Sequence, residues 1–248
     1  DYQLQVVTGL TADEFDRYDF LGKAKQGIYE EDNFNCPAYV VRLNYNGVPG
    51  LRVGGSWYYL RDAGKNSVKP YKFYTLHLPV RIYSADVEYK NKYVVARGNF
   101  LYGNVGNVDK LAKKSGFTGT TYSTIITSPG GMLSGSIPFH EAVSYAGEVG
   151  LNIGAFIPSE KPVKILPFAR YEYYNPQWKD DVKVSDPRTE VAMWTVGVNW
   201  FALPNLVVKA DWTTRHFGTD NPFKTKTGYT SENDISIGIA YVGWFAKK

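Results

Sequence analysis

The period of the apolar residues constrains this chain more than any other feature. In "ENDISIGIAYVGWF", Ile235, Ile237, Ile239 and Tyr241 recur at every second position, and Ser236, Gly238 and Ala240 lie between them. Period two sends alternate side chains to opposite faces of a strand, so this segment has one apolar face and one small or polar face. The same rhythm recurs in "YQLQVVTGL", "AYVVRLNYNG", "GLRVGGSWYYL", "VRIYSADVEYK", "KYVVARGNFLYG", "SYAGEVGLNIG", "ILPFARYEYY", "MWTVGVNWFAL" and "LVVKADWTTRHF". Each is close to the roughly 9 to 11 residues with which a tilted strand crosses the hydrocarbon of a bilayer. Only "PFHEAVSYAGEV" admits a helix, and its second half alternates well enough to read as strand. No run approaches the roughly 20 consecutive apolar residues of a transmembrane helix.

The connections alternate in length. Long polar loops at 11–36, 62–79, 105–139, 176–188 and 217–231 take turns with the short links "YNGVPG", "YKNK", "AFIPSEKPV" and "ALPN". Long and short ends therefore fall on opposite sides of one sheet, the asymmetry of an outer-membrane barrel with periplasmic turns and external loops. The fold class expected is all-β, an antiparallel up-and-down transmembrane β-barrel with about ten strands in view. No linker or fixed repeat divides the chain, so residues 1–248 read as a single domain.

The faces sort by chemistry. Tyr39, Val41, Leu43, Tyr45, Val53, Trp57, Tyr83, Val87, Tyr89, Val149, Leu151, Tyr171, Tyr173, Trp194, Val196, Val198, Trp200, Trp212, Ile237 and Ile239 are expected to point outward. Gln3, Gln5, Asn44, Ser56, Asp86, Glu88, Asn99, Glu148, Asn152, Glu172, Thr195, Asn199, Asp211, Thr213 and Ser236 are expected inward, with Arg42, Arg52, Arg97, Arg170, Lys209 and Arg215. A soluble, lipocalin-like barrel or sandwich would have to bury those arginines or expose the Tyr and Trp set. Lipid against the apolar face removes the conflict, with Tyr241, Trp244 and Phe245 in an interfacial girdle.

Several function classes lose support. A net charge of +4 is no polyanion footprint, so no nucleic-acid partner is expected. Cys36 is the only cysteine, which excludes an intramolecular disulfide and a multi-cysteine zinc site. His77, His140 and His216 stand apart without metal-ligand spacing, and "SPGGMLSGS" lacks the strand-turn-helix setting of a nucleophile elbow. Asp180 with Asp181, or Glu232 with Asp234, offer at most weak loop sites for calcium, since the EF-hand pattern is absent. No catalytic residue, metal site or cofactor is expected, and the chain does not read as an enzyme. The N-terminal "DYQLQVV" lacks the basic and apolar regions of a signal peptide, so such a segment was removed or this is not the native start.

"NYNGVPGLRVGGSWYY", "FLYGNVGNVDKL", "YAGEVGLNIG", "LPFARYEYYN", "TVGVNWFALPNLVVKADWTTRHF" and "ENDISIGIAYVGWF" resemble, in that order, stretches of the phosphate-selective porin family, the O and P type porins of Gram-negative outer membranes. The resemblance covers most of the chain outside the loops, and its weight lies in the number and order of the pieces. It implies an outer-membrane channel for small solutes with an anion or phosphate preference, and homotrimers as the common assembly. It also implies barrels of about sixteen strands, of which this chain would be the C-terminal portion, although ten strands satisfy the even-number rule as well. "AKK" after Phe245 departs from the terminal aromatic that the resemblance leads one to expect.

Three groups are candidates for function. Arg42, Arg52, Arg97, Arg170, Lys209 and Arg215 would line the pore, where cationic side chains raise the local anion concentration. The alternative for them is pairing with Asp86, Glu88, Glu148, Glu172 and Asp211 across neighbouring strands, which stiffens the wall. Lys65, Lys69, Lys72, Lys110, Lys113 and Lys114 form an anion-attracting loop set, or else ordinary solvated loops. The longest loop, 105–139, folds inward as a constriction or stays outside as a mobile loop. The main function expected is passive diffusion of small hydrophilic solutes across the outer membrane, with lipid and small anions as partners. The alternative is a plugged structural barrel within a larger outer-membrane complex.

Overall fold

The structure is a computed structural model that describes residues 1–16, 19–26, 34–68, 73–114, 139–157, 164–179, 189–203, 205–218 and 231–241. The described residues form ten strands: β1 (Tyr2–Val7), β2 (Ala38–Val48), β3 (Leu51–Leu60), β4 (Val80–Lys90), β5 (Val94–Val105), β6 (Glu141–Leu151), β7 (Lys164–Lys179), β8 (Val191–Leu203), β9 (Leu206–Phe217) and β10 (Ser231–Tyr241). They form one sheet in sequence order, and every neighbouring pair is antiparallel. β1 pairs only with β2 and β10 only with β9 among the described residues, so the sheet has two one-sided edges.

β4 and β9 coincide with the alternating segments that predict them. β6 begins three residues earlier than its segment and ends at Leu151. Asn152, expected as a strand residue, lies beyond β6, where its N–H donates to the Tyr93 carbonyl at 2.7 Å and its side-chain amide to the Lys92 carbonyl at 3.0 Å. These bonds tie the start of the 152–163 link to the neighbouring turn. The region 105–139, read as loop throughout, carries among its described residues a short helix, α1 (Val108–Lys114), whose Val108, Leu111 and Ala112 are buried. Their spacing of three and four is a helical face too brief to stand out as a period.

The short turns have local causes. Gly50 holds φ +79°, and a Cβ there would stand 2.2 Å from the Lys90 carbonyl oxygen, so glycine is needed after Pro49. In the next turn Asn91 Oδ1 accepts from the N–H groups of Tyr93 at 2.8 Å and Val94 at 2.7 Å, a side chain standing in for a backbone turn.

The hydrophobic core lies at the long-loop end. Phe15, Leu60, Leu78, Val80, Val105 and Leu111 are fully buried there, joining the first loop, the 61–79 loop and α1 to the ends of β3, β4 and β5. Full burial of such side chains contributes about 1.5–3 kcal/mol each. Asn66 is buried among them and receives the Cys36 N–H at 2.9 Å, while its amide donates to the carbonyls of Cys36 at 2.9 Å and Leu10 at 3.2 Å. Asp13 accepts from Ser67 Oγ at 2.6 Å and the Val68 N–H at 2.7 Å. Polar groups without water are thus matched inside the loop core.

Candidate pore-lining surface

The sheet presents two unlike faces. On one, Trp57, Tyr83, Val87, Val149, Trp194, Val196 and Trp212 are exposed, as are Ile235, Ile237 and Ile239, the last three about three-quarters so. Near the long-loop end this face carries contacting rings, Trp57 with Tyr59 at 5.6 Å, Tyr145 with Tyr173 at 5.0 Å and Tyr171 with Trp194 at 4.7 Å between centroids. Near the short turns Tyr45, Tyr89, Tyr93 and Trp200 are exposed. Between the two aromatic rows the residues are almost all aliphatic or glycine. Tyr173, expected on this face, is buried under Tyr145 and Trp178, and its hydroxyl donates to Glu190 at 2.9 Å.

The opposite face collects the charges. Register alone places Arg52, Glu88, Arg97, Glu148 and Arg170 directly opposite one another on β3 to β7, a row of alternating sign. It continues through Thr195 and Thr213, whose hydroxyls are 2.9 Å apart. Within the row Arg52 lies 3.8 Å from Glu88, and Arg97 lies 3.6 Å from Glu88 and 3.9 Å from Glu148. Arg42 reaches from the adjoining row to Asp86 at 2.6 Å, and both side chains are only about a quarter exposed, 28% and 25%. Gly54 makes room for that pair, since a Cβ there would stand 2.5 Å from Arg42 Nη2 and 2.8 Å from Asp86 Oδ1. Arg170 bonds Glu172, and Arg215 bonds Glu232 at 2.8 Å.

All six residues expected to line the pore therefore lie on one face, and five have a carboxylate partner. Lys209 is the exception, exposed and without an ion pair or hydrogen bond among the described residues; its register neighbours are Asn199 and Gly238. Asp211, expected as a partner, makes no ion pair among the described residues either. Glu232, absent from the expected acids, is the second residue of β10 and stands directly opposite Arg215 in the register.

The loop lysines are only partly brought together. Lys65 lies over the Tyr74 ring at 4.1 Å, and Lys114 Nζ donates to Thr75 Oγ1 at 2.6 Å, so these two flank one segment. Lys110 and Lys113 are exposed on α1, and Lys69 and Lys72 lie outside the described residues, as do 115–138 of the longest loop and Trp244 and Phe245. Beside α1 and the 61–79 loop, the first loop packs inward. Phe20 rests against Gly103 of β5, where a Cβ would stand 2.4 Å from Phe20 Cε1. Phe20 holds φ +54°, costly for a bulky residue and kept only where packing over-determines it. In the same loop Lys23 Nζ is 2.5 Å from Asp19, whose carboxylate raises the lysine pKa above its ordinary value. "TADE", with Thr11 capping a turn at Asp13, was the sequence signal that this loop is structured.

Two hollows open along the polar face. One, of about 410 Å³, lies between Phe20 and Leu21 of the first loop and Ile82, Leu101 and Ala142 of the sheet. The other, of about 200 Å³, has Arg97, Asn99, Glu148 and Arg170 around Ala146. No helix among the described residues is long and apolar enough to cross a membrane, which says nothing of strands. Compared with known families and with curated proteins, the chain matches no family model and no curated protein.

Proposed function

We propose that the chain is a porin-like channel of the Gram-negative outer membrane, closed into a barrel through its edge strands, with small hydrophilic solutes diffusing along the polar face. The observation that carries the proposal is the inverted distribution of the two faces. A water-soluble sheet shelters its apolar face and exposes its charges. Here one face exposes a largely aliphatic band between two aromatic rows, and the ionic residues are collected on the opposite face. That distribution suits lipid outside and water inside. The resemblance to the phosphate-selective porins and the alternation of long and short connections support the same reading.

The charge inventory argues for a modest anion preference. Each paired arginine is largely neutralised within a few ångströms by its acid, the third arginine of the row, Arg170, by Glu172, so a positive potential has to come from Lys209, offset in part by Asp211 two residues along β9. A second reading, a plugged barrel serving as a complex component, is favoured by one observation: the loop core lies across the long-loop end of β3 to β5 on the polar face. Planar-bilayer recording under a salt gradient, with chloride and phosphate compared, decides. Stepwise openings with a weakly anion-selective reversal potential support the channel. Silence from protein verified as folded rejects it in favour of the plugged barrel.

A further inference from the structure

The polar face changes character over a short distance. Arg97, Asn99, Leu101 and Gly103 follow one another on one face of β5, opposite Glu148, Ala146, Ser144 and Ala142 of β6. The first residues of each series border the small charged hollow and the last border the larger apolar one. Arg97 and Leu101 are four positions apart, about 13 Å at about 3.3 Å per residue. A single extended solute can reach from one hollow into the other.

The chemistry of the two ends restricts what that solute is. Arg97 is 3.6 Å from Glu88 and 3.9 Å from Glu148, too far for hydrogen bonds, so its donors and the Glu148 oxygens remain open to a ligand. A simple anion at Arg97 would also meet Glu88 and Glu148. A simple cation at Glu148 would meet Arg97 and Arg170. A zwitterion satisfies both signs at once, its carboxylate on Arg97 and its ammonium on Glu148, whose charged atoms stand 3.9 Å apart. The upper hollow asks for a mostly apolar group: Phe20, Leu21, Ile82, Leu101 and Ala142 line it, together with the polar Ser144, Asn175 and Asp19, the last engaged by Lys23. Phe20 is a fixed wall, held at positive φ and seated on Gly103.

We infer that the two hollows form one binding site for a short zwitterionic solute with an apolar side chain, of the size of an aromatic dipeptide. Its carboxylate lies at Arg97, its ammonium at Glu148, and its side chain between Phe20 and Leu101. The inference rests on the reading of the polar face as accessible to solutes from water, and it names a solute class for that face.

Isothermal titration of the folded full chain in detergent with alanyl-phenylalanine, against protein-free micelles, reads the site without requiring a pore. Saturable binding about ten-fold tighter than that of alanyl-alanine, of the N-acetylated dipeptide or of its C-terminal amide is expected. Glu148→Gln should erase the advantage over the acetylated form, and Arg97→Gln the advantage over the amide. Leu101→Trp, which fills the apolar hollow and leaves the charges, should remove the advantage over alanyl-alanine. Equal binding of the acetylated form, or no saturable heat, overturns the site. Bilayer recordings separate this from the channel itself: openings in chloride with no dipeptide binding overturn the site and leave the channel standing, while dipeptide binding with silent membranes supports the site and rejects passage.

Discussion

Two sectors of the sheet use the polar face differently while sharing one apolar face. From β2 to β7 the polar positions carry paired charges, and the loop core closes over their upper ends. From β8 to β10 the middle of the same face carries the Thr195–Thr213 hydroxyl pair, with Lys209 and Asp211 unpaired among the described residues, and the pairing of Arg215 with Glu232 lies near the loop end. The apolar face runs on unchanged through Trp194, Val196, Trp212 and Ile237. In the channel reading one medium, lipid, acts on the whole apolar face, whereas the polar face is decided by which strands have loops to hold and which have charges to match.

The strongest test of that division is Phe15→Ala. Phe15 is fully buried in the loop core, and emptying such a site costs about 3–5 kcal/mol. The loss should appear as faster amide exchange in residues 8–16 and 61–68, with β8 and β9 unchanged, because local opening need not involve the distant ladder. Equal acceleration in β8 and β9 would mean one cooperative unit and would break the comparison. Asn66→Ala should cost less, about 1–3 kcal/mol, by leaving the Cys36 N–H and two carbonyls without partners. Cys36 is a built-in reporter, and its labelling by a thiol reagent should accelerate about ten-fold for each 1.4 kcal/mol taken off the free energy of local opening. An unchanged labelling rate would show that Asn66 does not hold the loop.

Within the charged sector the pairs should rank by distance and shelter. Arg42→Gln removes a 2.6 Å bond between side chains only about a quarter exposed and should cost about 1.5–3 kcal/mol. Arg97→Gln removes contacts of 3.6 and 3.9 Å from a side chain 57% exposed and should cost under about 1 kcal/mol. Gly54→Ala should behave like Arg42→Gln, because the new methyl takes the place of Arg42 Nη2. Denaturant unfolding of the three variants in one detergent gives the order. Equal losses for Arg42 and Arg97 would mean that solvent screens both pairs alike.

The strands were legible because each needs only its own alternation, and the charged row followed from face assignment plus antiparallel register. The identity of the pairs was not, since Arg42 bonds Asp86 across β3, over Gly54, and no pattern within either strand contains that contact. The loop core was missed for a related reason. Phe15, Leu78 and Leu111 come from three separate loops, and each alone resembles a stray apolar residue in a polar segment. "TADE" and "DAGKN" did carry capping signals, with Thr11 and Asp62 bonding the N–H groups of Asp13 and Gly64. Such signals report local order and not the partner to which it is joined.

The finest distinction between the sectors rests on Lys209. Its charge has no carboxylate within ion-pair distance among the described residues, and it extends from β9 opposite Gly238, which offers no side chain to cover it. A unit charge about 10 Å from a permeating ion in water contributes about 0.4 kcal/mol, a factor of about two in local anion concentration. In the channel reading, Lys209→Gln should therefore lower the anion-to-cation permeability ratio about two-fold or more in about 0.1 M salt, with no change in stability. At about 1 M salt the screening length falls to about 3 Å and the difference should vanish. A shift that persists at high salt would place Lys209 in direct contact with the ion. No shift at either concentration would mean that the β8 to β10 sector does not border the path, and the division of the polar face would then be one of structure without consequence for transport.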